Sequence, residues 1–228
     1  MEIDKINNLL ELFYKQYEKQ NKEDIFLYSL HENKKQYSWK EVYENIIKLS
    51  EEISKYINKG DRCLLISENR PEWMISDLSI MLSEGTTVPA YTTYTERDYE
   101  YIIDDCTPTI IIVSGKIQYE KIKNIVPKKD FIKKIIIFDY IKDFDDQLNL
   151  DLNAIFKKNK FNKKDFLDLQ IQRKDIACII YTSGTQGNPK GVMLSHGGIL
   201  NNCEGAYNLL TVFISKKPKF LTWLPLSH

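Results

Sequence analysis

Short apolar runs alternate along this chain with longer stretches whose apolar positions recur at helical spacing. RCLLIS (62–67), TTVPAY (86–91), TIIIV (109–113), KIIIF (134–138) and ACIIY (177–181) are the short runs. Most are rich in β-branched residues and apolar on both parities, the pattern of strands buried on both faces of a parallel sheet. Pro89 inside TTVPAY places that run at a sheet edge or a strand end. Between them, Ser38 with Glu41 forms a capping box that opens a helix running to about Ile57, and Gly60-Asp61 turns the chain. Pro71 starts a helix with Met74, Ile75, Leu78 and Leu82 on one face, and Gly85 ends it. Thr95 and Asp98 cap a helix through Ile103, and a further helical segment runs from about Gly198 to Leu210. At the N-terminus Ile3, Ile6, Leu10 and Phe13 also stand at helical spacing. Strands separated by helices of this length predict an α/β fold with a mostly parallel sheet flanked by helices. The Asp/Lys/Asn-rich stretch 141–175 reads as a surface crossover with some helix, and FLTWLPL (220–226) as a strand. A strand-like run followed only by Ser227-His228 leads to the expectation that the chain is cut short.

Composition narrows the possibilities. With 228 residues, 43% hydrophobic and 28% charged, the chain can bury a sizeable core. Lys+Arg and Asp+Glu both number 32, so a net charge of +0 removes the electrostatic case for nucleic acid. Cys63, Cys106, Cys178 and Cys203 form no CxxC pair, and His31, His196 and His228 show no metal-ligand spacing. Cys63 and Cys178 sit in apolar runs and read as buried thiols. The N-terminus lacks the features of a signal or transit peptide, and no run approaches the ~20 apolar residues of a membrane span. A cytoplasmic location is expected.

The stretch that calls for chemistry is YTSGTQGNPKG (181–191), directly after an apolar strand. Its glycines, Gly184, Gly187 and Gly191, let backbone N–H groups converge on an oxyanion without a Cβ in the way. Thr182, Ser183 and Thr185 add hydroxyl donors, and Lys190 adds a full positive charge. The set suits a polyphosphate. It is not the Walker loop, because no Ser or Thr follows the lysine, nor is it GxGxxG. Elsewhere, Tyr181 is expected to orient the loop by packing, His196 to turn the chain, and Trp73 to sit in the core. The pairs Asp104-Asp105 and Asp145-Asp146 read as solvated faces.

The eleven-residue string resembles the phosphate-binding signature of the adenylate-forming enzymes, a superfamily that includes acyl-CoA synthetases, luciferases and peptide-synthetase adenylation domains. Its usual form is YTSGTTGxPKGV, from which this sequence departs at Gln186. SENRPEWMISDLSIMLSEGTTVPAYTTYTERDYEYIIDD (67–105) and WLPLSH (223–228) resemble the long-chain fatty acid ligase branch, and the likeness runs from about residue 25 to the end.

The resemblance implies that residues 1–228 are the N-terminal portion of an adenylate-forming domain. It implies an ATP-dependent activation of a fatty acid as acyl-adenylate, followed by transfer to coenzyme A with release of AMP and pyrophosphate. Lys190 and Thr185 would assist catalysis; Thr182, Ser183, Gly184, Thr185, Gln186, Gly187 and Lys190 would hold the nucleotide; His228 would line the pocket. The family's magnesium glutamate, ribose aspartate and mobile C-terminal lysine domain are expected beyond His228, so Mg²⁺ has no ligand assigned here and the chain alone is expected to be inactive. A lipid substrate leaves room for peripheral membrane contact. Alternative readings are a non-catalytic nucleotide-binding module, an adenylating ligase for another carboxylic acid, and a phosphotransferase, which the missing Walker spacing argues against.

Overall fold

The computed structural model describes residues 3–30, 34–142, 147–162, 166, 169–182, 189–210, 218–222 and 224–227. A short 3-10 turn (Ile3–Lys5) leads into α1 (Leu9–Lys19), and a two-stranded antiparallel ribbon, β1 (Ile25–Tyr28) and β2 (Gln36–Ser38), precedes α2 (Trp39–Ile53). The doubly wound body follows: β3 (Arg62–Ile66), α3 (Pro71–Leu82), β4 (Thr86–Ala90), α4 (Glu96–Cys106), β5 (Ile110–Val113), α5 (Lys116–Ile122) and β6 (Lys134–Ile137). Then come β7 (Asn149–Asp151), α6 (Leu152–Phe156), β8 (Ile176–Thr182), β9 (Lys190–Ser195) and α7 (His196–Leu210). Among the described residues the main sheet runs β7-β6-β5-β3-β4-β8-β9, parallel throughout except for the β8–β9 hairpin.

The expected parallel α/β architecture is therefore the observed one, and the strands show why their sequences lack polar alternation. In β3, Cys63 and Leu65 pack toward one helical layer while Leu64 and Ile66 pack toward the other. Ile110 and Ile112 of β5 divide from Ile111 and Val113 in the same way, as does Ile136 of β6 from Ile135 and Ile137. One layer contains α4 and α5, through Tyr99, Ile102, Ile103 and Ile122; the other contains α2, α3 and α6. A third cluster seats α1 and Phe166 against α2 and α3 through Leu10, Phe13, Ile46 and Ile75. The four N-terminal apolar residues, Ile3, Ile6, Leu10 and Phe13, are all buried.

Several local expectations hold at atomic detail. Both capping boxes form: Ser38 with Glu41 at α2, and Thr95 with Asp98 at α4. Gly60 turns the chain at φ 81°.

Others need correction. Helix α2 stops at Ile53 rather than near Ile57, and a turn follows. The left-handed residue that ends α3 is Glu84 (φ 59°), not Gly85. The N–H groups of Glu84 and Gly85 bond back to the carbonyls of Met81 and Ile80, closing a Schellman motif. Gly85 is needed for space, since a Cβ there would meet Ile57 Cδ1 at 2.8 Å. Pro89 lies in an internal strand, but the ladder from β4 to β8 is confined to Thr87↔Cys178, so the proline falls past the short pairing. The 141–175 crossover contributes a strand, β7, at the sheet edge. FLTWLPL forms no strand among its described residues, because backbone groups at Thr222, Leu224 and Leu226 pair with the side chain of Asn69 instead of with a neighbouring strand. Cys63 is buried as expected, whereas Cys178 is half-buried, its thiol pushed up to about 12 by burial and by the charge of Asp77.

Candidate active site

The carboxyl ends of parallel strands are where doubly wound sheets place their chemistry, since the connecting loops meet there. The β8–β9 hairpin brings the glycine-rich stretch to that edge. Strand β8 runs parallel to β4, so its end at Thr182 lies on the carboxyl side; β9 returns antiparallel, in the register Tyr181↔Gly191 and Thr182↔Lys190. The hydroxyl-bearing Thr182 and the cationic Lys190 are thus cross-strand neighbours at the two roots of the loop, and both are exposed. Ser183, Gly184, Thr185, Gln186 and Gly187 lie outside the described residues, as do His228 and Trp223.

Helix α4 pins both roots. The buried Tyr181 donates its hydroxyl to the carboxylate of Asp105, and Tyr101 donates its hydroxyl to the carbonyl of Pro189 at 3.0 Å. Tyr101 and Asp105 stand four residues apart, which puts them on one helical face. Burial, reinforced by the hydrogen bond to Asp105, pushes the Tyr181 phenol up, so it remains a donor. Packing at the hairpin is close: a Cβ at Gly191 would meet Ile179 Cγ2 at 2.8 Å and Tyr181 Cζ at 3.3 Å. Tyr181 therefore anchors the β8 root of the loop, through a hydrogen bond as well as by packing. Asp105 corrects the solvated-face reading: it is exposed but engaged, while Asp104 pairs with Lys129. Asp145 and Asp146 lie outside the described residues.

The segment after β3 builds the neighbouring part of the edge. Arg70 forks onto Asp139, which follows β6, with Nη1–Oδ2 2.9 Å and Nη2–Oδ1 3.0 Å, and its Nε reaches Glu72 at 2.9 Å. Glu72 is only 2% exposed and also accepts from Lys35 (2.7 Å) and Tyr37 (3.1 Å) of the N-terminal ribbon region. Burial alone would raise the Glu72 carboxyl, but the hydrogen bond and charge of Arg70, with the Lys35 hydrogen bond, hold it at about 2. Trp73 is core, packed with Leu49, Ile80 and Leu65. His196 opens α7 from a buried position and accepts the Leu9 N–H on Nδ1 at 3.4 Å. It stands where β9 passes into α7, and it ties α7 to the start of α1. Of the two residues that hold the loop roots, Asp105 reads from sequence as part of a solvated face and Tyr101 has no role there. Their four-residue spacing within YEYIIDD was the available signal.

A parallel doubly wound sheet carries the roots of a glycine-rich, lysine-ended stretch at its carboxyl edge, and comparison with known proteins gives the class. The AMP-binding enzyme family model matches residues 13–228, and the chain belongs to that family. Its relatives include fatty acyl-CoA synthetase A of Dictyostelium discoideum, 30% identical over 178 residues, covering 75% of this chain and 26% of the relative. Long chain acyl-CoA synthetase 5 of Arabidopsis thaliana is 30% identical over 200 residues, covering 84% of this chain and 30% of the relative. The chain thus spans less than a third of the length of these curated relatives. Among solved structures, the anthranilate CoA ligase AuaEII in complex with anthranoyl-AMP superposes with a TM-score of 0.73 at 18% identity, covering 86% of this chain and 36% of that one. At that identity the likeness speaks for the fold.

Proposed function

We propose that this chain forms the N-terminal part of an AMP-forming ligase that activates a long-chain fatty acid and passes the acyl group to coenzyme A. The observation that carries this reading is the hairpin register. Thr182↔Lys190 holds the two roots of YTSGTQGNPKG side by side at the carboxyl edge of the sheet, where a polyphosphate could lie across the loop. In the first half-reaction a carboxylate oxygen attacks the α-phosphorus of ATP, the bond to the bridging oxygen breaks, and pyrophosphate leaves with the electron pair. In the second, the thiolate sulfur of coenzyme A attacks the acyl carbon and AMP departs.

Neither step needs a protein nucleophile. Catalysis then rests on positioning and on neutralising the charge that builds on the leaving pyrophosphate. Lys190 supplies the cation; Thr182, Ser183, Thr185 and the loop amides supply donors; Gln186 borders the same phosphates. ATP is expected to enter as its magnesium complex. The test is palmitate-dependent release of pyrophosphate and AMP by the full-length polypeptide that carries this chain. ADP as the product would overturn the reading in favour of phosphotransfer.

A further inference from the structure

The strands β4-β3-β5-β6-β7 stand in the 2-1-3-4-5 order of doubly wound sheets, in which the connections diverge between the first and third strands. Those strands here are β3 and β5, and the crevice at their carboxyl ends is where such sheets usually take a ligand. In this molecule the chain itself lies there. Asn69, three residues beyond the end of β3, donates from Nδ2 to the carbonyls of Thr222 (3.3 Å) and Leu224 (2.6 Å) and accepts the Leu226 N–H on Oδ1 at 2.9 Å. Leu226 packs against the cluster that contains Trp73, and Ser227 is buried. Pro225 has no N–H, so Leu226 offers the first amide beyond it for an acceptor to grip. Only a carboxamide offers donors and an acceptor on one short, planar group, and glutamine would place it one methylene further out.

We propose that Asn69 is a positioning residue: its carboxamide clamps Thr222, Leu224 and Leu226 over the switch-point crevice and thereby holds this segment at the carboxyl edge that carries the candidate active site. The consequence for catalysis rests on the ligase reading above; the clamp itself does not. The sequence places Asn69 inside a run that resembles long-chain ligases but gives it no task, because its partners lie more than 150 residues away.

Hydrogen exchange on Asn69→Ala and Asn69→Asp separates the possibilities. In Asn69→Ala the Leu226 amide should exchange about tenfold faster, the scale of one lost hydrogen bond, while the amides of β3 and β5 keep their protection. Asn69→Asp retains the acceptor and should keep Leu226 protected, yet protease cleavage around Thr222 should rise as the carbonyls lose their donor. Unchanged exchange at Leu226 in Asn69→Ala overturns the clamp. So does loosening that spreads equally to β3 and β5, which would make Asn69 a core residue. In the full-length ligase, Asn69→Ala should slow ATP–pyrophosphate exchange; lost protection with undiminished exchange overturns the link from clamp to site. Absence of fatty-acid-dependent exchange in the unsubstituted protein would instead be a failure of the ligase reading.

Discussion

At the scale of single residues, the charged groups divide into one that faces the loop and several that hold the sheet edge together. Lys190 is exposed at the root of the glycine-rich hairpin, so its charge is available to a departing anion. On the ligase reading proposed above, Lys190→Ala is expected to slow ATP–pyrophosphate exchange ~100-fold, the loss of roughly 3 kcal/mol of transition-state stabilisation. Fatty acid binding should change far less. An unaltered exchange rate would remove Lys190 from catalysis. Glu72 is the contrasting case, a carboxylate buried among Arg70, Lys35 and Tyr37. Its folded pKa of about 2 lies below the ordinary 4.5, so its contribution to stability is complete above pH 4.5 and is lost as pH falls through about 2. Glu72→Gln leaves Lys35 and one arm of Arg70 without their counter-charge. It is expected to cost about 3 kcal/mol at pH 7 and to flatten the urea-midpoint profile below pH 4.5.

At the scale of elements, helix α4 and the β8–β9 hairpin act as one unit, since Tyr181–Asp105 and Tyr101–Pro189 fasten both loop roots to the same helical face. Helices α1 and α7 form a second unit through His196, whose imidazole meets the first N–H of α1. Burial lowers this histidine from 6.5 to about 4, against the opposing charge of Asp175. Its folded pKa is below the unfolded one, so stability is complete above pH 6.5 and falls as pH drops from 6.5 toward 4, by up to about 3 kcal/mol. Between pH 6.5 and 4.5 this loss precedes that of Glu72. His196→Gln should flatten that interval of the urea-midpoint curve while leaving the slope below pH 4.5 in place. An unchanged slope between pH 6.5 and 4.5 would show that His196 binds protons alike in the folded and unfolded states.

At the scale of the whole molecule, apolar surface is unevenly placed. Val192 and Met193 of β9 are 43% and 67% exposed, and β9 is the outermost strand among the described residues. Tyr207, Leu209 and Leu210 of α7 are also exposed, as are Phe220 and Leu221. An open edge strand with apolar side chains pairs readily with other chains, and a large apolar surface has the same tendency. The protein is expected to self-associate in sedimentation velocity. A monodisperse monomer would contradict this. The origin of the association differs from the one the sequence points to. FLTWLPL reads as an unpaired strand, but its backbone is occupied by Asn69, so the sticky edge is β9.

The sequence by itself determined the layers and the motif. Apolar runs such as TIIIV are unambiguous because a strand buried on both faces tolerates no polar position, and the caps at Ser38 and Thr95 are legible because capping is settled within four residues. The loop was legible for a similar reason: glycines, hydroxyls and a lysine carry their chemistry in residue type and spacing. Only the tertiary structure decided strand order, the internal place of Pro89, the edge strand β7 and the ribbon β1–β2, whose short runs bury little and take their pairing from neighbours. It also decided that Asp105 and Tyr101 hold the loop roots and that Asn69 holds Thr222, Leu224 and Leu226. Those contacts join segments 76 to 157 residues apart. No local pattern encodes such a partner, because the bond exists only after the sheet has brought its carboxyl ends together.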